Sequence, residues 1–352
     1  MKLFTVGPVE MQEDILQIGA EPLPYFRTAE FSEKMLKIEQ QFKQVVNAPP
    51  EARLTILTAS GTGAMEAAVC NLLSSQDKAL VIDGGSFGHR FAQICQCFHI
   101  PFETIKLPFG QTLTAQQLAP YAHKGFTALL VNLHETSTGQ LYDINLLSRF
   151  CQENGLLFIV DAISTLLADP FDMAAYGVNA VITASQKALA LAPGLSFLIT
   201  DGRANERIAH NPTLSVYFDL KDYLKNMERG QTPFTPAVGI ILQLEKRLQE
   251  ITAAGVGQII QQHRMRAEYF RNACQRNGIT VASYPKSNAL TPLIFPQGNA
   301  YDVFLQMKEK FGLMLTPNGG ELAGSVLRVG HLGNLSLTDY DLVVNRLKEI
   351  LP

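Results

Sequence analysis

The chain is poor in the features that would mark several large protein classes. It has no charge excess: among 352 residues, 29 Lys and Arg stand against 32 Asp and Glu, for a net charge of −3. With a pI near 6.2, it carries no electrostatic footprint for nucleic acid or an anionic membrane surface. Its start, "MKLFTVGPVEMQEDI", reaches Gly7-Pro8 after a few apolar residues and then turns acidic, so neither a signal peptide nor a membrane span is expected. Cysteine is scarce and odd in number: Cys70, Cys95, Cys97, Cys151 and Cys274. They sit in apolar or helical-looking stretches, which reads as reduced thiols in a cytoplasmic protein. Cys95-x-Cys97 has His99 nearby, but residues two apart on a helix point in different directions. No second Cys/His pair stands at zinc spacing, so no metal is expected. GxGxxG and GxxxxGK[ST] are absent from the strand-to-helix turns, which argues against the common nucleotide cradles.

What is present is the composition of a soluble globular protein, 47% hydrophobic and 17% charged, long enough for two domains. Short apolar runs recur at 54–58, 79–83, 126–133, 156–162, 179–183 and 196–200. Most are continuously apolar, as in strands covered on both faces. Helical patterns lie between them, such as 63–74 and 144–155, the latter closing on the stop signal Asn154-Gly155. This alternation predicts an α/β fold with an open, mostly parallel sheet and helices on both faces. After residue 200 long helical patterns cover 204–210, 219–229, 236–253 and 256–276. Short β-like pieces follow at 279–283, 289–295 and 326–330, with helices near 300–310 and 337–350. The expected division is an N-terminal segment 1–14, a large unit 15–240 and a smaller α+β unit 241–352.

In open α/β sheets, ligands bind beyond the carboxyl ends of the strands. There, "ASGTGAMEAAV" (59–69) offers Ser60, Gly61 and Thr62 at a helix start, where backbone N–H groups favour an anion. "DGGSFGHRF" (83–91) presents Phe87 among glycines, available to stack on a planar ligand or to pack on its own helix. "NLHETSTGQL" (132–141) offers His134, Glu135, Thr136 and Ser137 as hydrogen-bonding groups. Asp161 ends an apolar run without a local cation, either capping the next helix or facing a protonated ring nitrogen. Lys187, in "SQKALALAPG" (185–194), sits where desolvation lowers an ammonium pKa toward nucleophilic range. Phosphate cradle, stacking aromatic, carboxylate and lysine together are the inventory for pyridoxal 5′-phosphate.

The sequence resembles the class V aminotransferases of fold type I, nearly end to end. The motifs that carry the resemblance are "VGPV" (6–9), "YFRTAEF" (25–31), "SGTGAMEA" (60–67), "HETSTG" (134–139), "VDAIST" (160–165), "SQKAL" (185–189) and "LRVGHLG" (327–333). The resemblance implies a PLP-dependent aminotransferase in which Lys187 bonds the cofactor and moves the Cα proton, with Asp161 on the ring nitrogen. It places Phe87 and Ile163 on opposite ring faces, Thr136 near the ring hydroxyl, and Ser60, Gly61, Thr62 and Gln186 on the phosphate. Arg328 would clamp the substrate carboxylate, and Gly7 would approach the substrate by its backbone. A homodimer is implied, the second subunit completing the phosphate site from "RGQTPFTPAV" (229–238), where Thr235 matches and Thr232 stands where some relatives have Tyr. The partners are then a small-molecule amino donor and a 2-oxo acid such as pyruvate or glyoxylate. A 2-aminoethylphosphonate–pyruvate transaminase is the specific alternative. A desulfurase or lyase is the rival, and a desulfurase would need a mobile late cysteine where Cys274 lies in a helical pattern.

Overall fold

The apolar runs of the first two hundred residues come together as one seven-stranded sheet in the computed structural model, which describes residues 1–351. Its strands are β1 (Arg53–Leu57), β2 (Ala79–Asp83), β3 (Phe102–Lys106), β4 (Ala128–Asn132), β5 (Leu157–Asp161), β6 (Ala180–Ala184) and β7 (Ser196–Thr200), in the order β1-β7-β6-β5-β4-β2-β3. The pairs from β3 across to β6 are parallel, and β7 runs antiparallel to both of its neighbours. Side chains alternate between two dry layers. Leu129, Val131, Phe158 and Val160 enter one core, while Leu130, Leu157 and Ile159 enter the other. β3, "FETIK", is a half-exposed edge strand that alternates polar and apolar residues, and it is absent from the apolar runs of the sequence for that reason.

Helices cover both faces. α1 (Ala29–Val45) buries Phe31, Met35, Ile38, Phe42 and Val45, the stripe of an amphipathic helix. α2 (Gly61–Leu72) follows β1 and α3 (Ser86–Cys97) follows β2. α4 (Ile144–Asn154) ends at Gly155, whose φ of 66° closes the last turn in the left-handed region.

Two long helices, α5 (Val238–Ala254) and α6 (Val256–Arg276), lead to a three-stranded antiparallel sheet of β8 (Leu290–Ile294), β9 (Thr316–Pro317) and β10 (Val326–Gly330), ordered β8-β10-β9. The β-like piece at 279–283 is reduced to a single bridge, Val281 to Leu293. α5 still packs Ile241, Leu244, Leu248 and Ile251 into the core of the large sheet. Allegiance changes within α6, where Ile259 joins that core and Phe270, Ala273 and Cys274 join the core of the small sheet. The N-terminus crosses over: Lys2–Leu3 pairs with Leu313–Met314, and Phe4 is buried with Phe270 and Tyr340. Among the described residues, no helix is long and apolar enough to cross a membrane.

Candidate active site

Parallel strands deliver their carboxyl ends to one edge, and register sets what meets there. Asn132 ends β4 directly opposite Asp161, which ends β5. Asn132 Nδ2 donates to Asp161 Oδ2 at 2.8 Å, and the Ile163 amide donates to Oδ1 at 2.8 Å. Two donors are few for a carboxylate that is 1% exposed. Burial therefore dominates and pushes Asp161 up to about 6, the signature of a buried acid short of a cation.

Lys187 comes from the loop after β6. Ser185 ties that loop together, its hydroxyl donating to Ala192 O at 2.7 Å and accepting from the Leu195 amide at 3.3 Å. Arg247 on α5 donates to Leu189 O at 3.2 Å. Gly7 packs against the lysine stem so closely that a Cβ there would lie 2.6 Å from Lys187 Cδ. The side chain keeps partial solvent contact through the cavity, yet its surroundings are desolvating. Burial lowers it to about 8; Arg328 adds to the lowering and Asp161 opposes it.

A cavity of about 220 Å³ joins these two groups. Its walls bring together Ser60, Gly61, Thr62, Phe87, Thr136, Asp161, Ile163, Gln186 and Lys187, and also Met65, Asn132 and Ser164, which the sequence reading did not single out. The clue to Asn132 was present: it closes an apolar strand just as Asp161 does. Ser60 is the N-cap residue of α2, but its hydroxyl makes no capping bond, which leaves the start of that helix open to an anion. Gly61 is required because Ile163 Cδ1 occupies the space that a Cβ would need.

The loop after β4 divides its labour. Thr136 lines the cavity, but His134 and Glu135 do not. His134 is fully buried with Nδ1 2.9 Å from Ser164 Oγ, and burial holds it down to about 3. Glu135, expected among the ligand-binding groups, spends its carboxylate on the protein instead. Oε2 accepts from the Phe87 and Gly88 amides at 3.1 and 2.9 Å; Oε1 accepts from the Ser137 amide and hydroxyl at 3.1 and 2.5 Å. Glu135 thus fixes the start of α3, the turn that carries Phe87.

Arg328, on β10, reaches this same loop from the small sheet. Nη1 donates to Thr136 O at 2.7 Å and Nη2 to Pro317 O at 2.6 Å, while its buried Nε has no protein partner. Burial lowers it to about 10. Asn318 adds a bond from Nδ2 to Ser137 O at 2.9 Å. A wider cleft of about 960 Å³ borders these turns, lined by Ser86, His89, Lys106, Ser137 and Asn318 among others.

Thr232 and Thr235 are not in the cavity of their own chain. Thr232 Oγ1 donates to Phe234 O at 2.7 Å, and Thr235 is exposed. Arg27 holds this segment through Gln231 Oε1 at 2.9 Å, Thr232 O at 3.0 Å and Pro233 O at 3.1 Å. Cys274, the late cysteine, is fully buried in the small core with its thiol pushed up to about 12, unlike a mobile nucleophile.

A doubly covered, mostly parallel sheet with a desolvated lysine beside a buried carboxylate and an open helix start defines a lysine-dependent α/β enzyme. The chain belongs to the class-V aminotransferases, whose family model, Aminotransferase class-V, matches residues 25–334. It is similar to the soluble hydrogenase small subunit of Synechococcus sp. (strain PCC 6716), 32% identical over 99% of this chain and 92% of that protein. It is also similar to the L-aspartate–glyoxylate aminotransferase of Paracoccus denitrificans (strain Pd 1222), 27% identical over 95% and 87% of the two chains. The crystal structure of the subgroup IV aspartate aminotransferase from Thermus thermophilus superposes with a TM-score of 0.90 at 29% identity, covering 100% of both chains. Among the described residues, no group of three or more His, Cys, Asp or Glu side chains is arranged to hold a metal ion.

Proposed function

We propose that this aminotransferase uses pyridoxal 5′-phosphate to move an amino group from an amino acid to a small 2-oxo acid, glyoxylate or pyruvate. The observation that carries the reading is the pairing of Asp161, buried and short of a cation, with Lys187, half-buried and lowered to about 8, in one cavity. A protonated pyridine nitrogen satisfies the first, and an aldehyde is the natural electrophile for the second. The open start of α2 suits the phosphate, and Phe87 and Ile163 supply apolar walls for a flat ring. When bound, the cofactor supplies an electron sink that acidifies the substrate Cα–H.

The remaining work falls to the chain. Lys187 Nζ, basic near neutral pH, accepts the Cα proton and gives it back. Asp161 keeps the ring nitrogen protonated. Arg328, with Nε free and its other nitrogens anchored, offers a fixed fork for the substrate carboxylate. Glyoxylate as acceptor is supported by the name of the Paracoccus relative.

The enzyme works as a homodimer in this reading. Thr232 and Thr235 lie outside their own cavity and are presented on a braced segment, which suits completion of the partner's phosphate site. The five cysteines are free, in keeping with a cytoplasmic protein. Within each chain we place the division between the two units inside α6, between Ile259 and Phe270, because α5 packs with the large sheet.

The test is a panel of amines (aspartate, alanine, serine and 2-aminoethylphosphonate) added to the PLP-loaded protein with glyoxylate or pyruvate. Amine-dependent conversion of the cofactor to its pyridoxamine form, with 2-oxo acid released, is the expected result. Sulfide release from cysteine, or a spectrum unmoved by every amine, would refute it.

A further inference from the structure

A phosphate monoester near neutral pH carries between one and two negative charges. A helix start offsets about half a charge. Among the described residues, the only cation on the cavity wall is Lys187, and Asp161 faces it. The phosphate subsite of the proposed function therefore needs a counter-charge that the wall residues do not provide.

Arg90 stands behind that wall. It lies on α3, one turn beyond Phe87, and its Nη1 is 3.2 Å from Thr62 Oγ1 on the first turn of α2. A guanidinium has donors only, so the direction of this bond is fixed: Arg90 donates and the Thr62 oxygen accepts. The Thr62 hydroxyl proton must then point elsewhere. Among the described residues it has no protein acceptor, and Thr62 lines the cavity. Arg90 itself makes no ion pair with a carboxylate among the described residues. It is half-buried, so its charge remains hydrated.

We infer that Arg90 is a positioning residue for the cofactor's phosphate: by donating to Thr62 Oγ1 it turns the Thr62 hydroxyl proton toward the anion and places a positive charge behind it. The arrangement is a relay of two hydrogen bonds in one direction, and each polarises the next. It rests on the proposal that PLP occupies this cavity, and it assigns to Arg90 a task that touches only the phosphate.

That selectivity makes it testable by comparing two ligands on the full-length, cofactor-stripped protein. The dissociation constants of PLP and of unphosphorylated pyridoxal are measured by absorbance titration for the wild type, Arg90→Met, Thr62→Val and the double variant. Arg90→Met should weaken PLP roughly tenfold or more, the scale of one charge-assisted hydrogen bond, and leave pyridoxal within about twofold. Thr62→Val should do the same, and the double variant should lose less than the two single losses combined, because the arginine acts largely through the hydroxyl. If Arg90→Met weakens both ligands alike, its role is structural and the inference fails. It fails equally if PLP binding is unchanged, or if the two substitutions add. A wild type that binds neither ligand would overturn the cofactor proposal itself, a result distinct from the others.

Discussion

Replacing Lys187 with Met in the cofactor-free protein should stabilise it. The substitution keeps an unbranched side chain of similar reach and removes a desolvated ammonium. Burial takes Lys187 from 10.5 down to about 8. At 1.36 kcal/mol per pH unit, that corresponds to ~3 kcal/mol between the proteins when the lysine is protonated in both folded and unfolded chains. The sign follows from linkage. The folded chain favours the neutral amine while the unfolded chain keeps its proton up to about 10.5. The penalty is therefore full below about pH 8 and fades as pH rises from about 8 to 10.5. Asp161 trims the gain, since it loses a cationic neighbour and its own carboxyl moves further up. Urea denaturation of both cofactor-free proteins at about pH 7 and about pH 10 reads this directly. The variant should unfold at higher urea at the lower pH, and the gap should shrink to about a quarter of that at the higher one. A wild type that is the more stable at pH 7, or a gap that does not narrow by pH 10, refutes the reasoning.

Three further outcomes follow from the same geometry. Arg328→Ala should cost about 2–4 kcal/mol in kcat/KM for carboxylate-bearing donors, the scale for removing one member of a desolvated charge pair; unchanged KM values across such donors would show that the clamp lies elsewhere. Gly7→Ala forces a Cβ to within 2.6 Å of Lys187 Cδ at a φ of +148°, so a loss of about 1–3 kcal/mol in stability is expected, with slower attachment of cofactor measured by stopped-flow absorbance. Glu135→Ala strands the amides of Phe87, Gly88 and Ser137, the last two of them buried. At about 1–3 kcal/mol for each orphaned donor, it should lower the urea midpoint strongly, with Glu135→Gln falling between the two.

How much of this was legible in the sequence depends on how far apart the interacting parts lie. Buried parallel strands announce themselves as unbroken apolar runs, which is why β2 and β4 to β7 could be placed closely. β3 hid because an edge strand with one wet face has no reason to be continuously apolar. The site was readable residue by residue, since parallel strands gather their carboxyl ends and the unusual residues stood in those loops. The division of labour within "HETSTG" was not readable. Five adjacent polar residues look interchangeable until folding directs Glu135 to amides 47 and 48 positions away and Thr136 to the cavity. Arg90 and Thr62 are similarly 28 residues apart, joined only by the packing of α2 on α3. The allegiance of α5 was hidden too, because an apolar stripe gives the face a helix buries but not the core that receives it.

The charges of the site point the same way. Asp161 is raised, Lys187 and Arg328 are lowered, and in each case burial is the largest cause. Among the described residues none of the three forms a salt bridge within the protein. Elsewhere buried charge is compensated: Asp77, with only 5% of its side chain exposed, is met by Arg207 at 2.7 Å and held below its ordinary value. A fold selected for stability alone would pair or remove the three uncompensated groups. Their persistence in one place is the mark of a site whose missing counter-charges arrive with its ligands, and it is why removing the lysine should stabilise the empty protein while abolishing its chemistry.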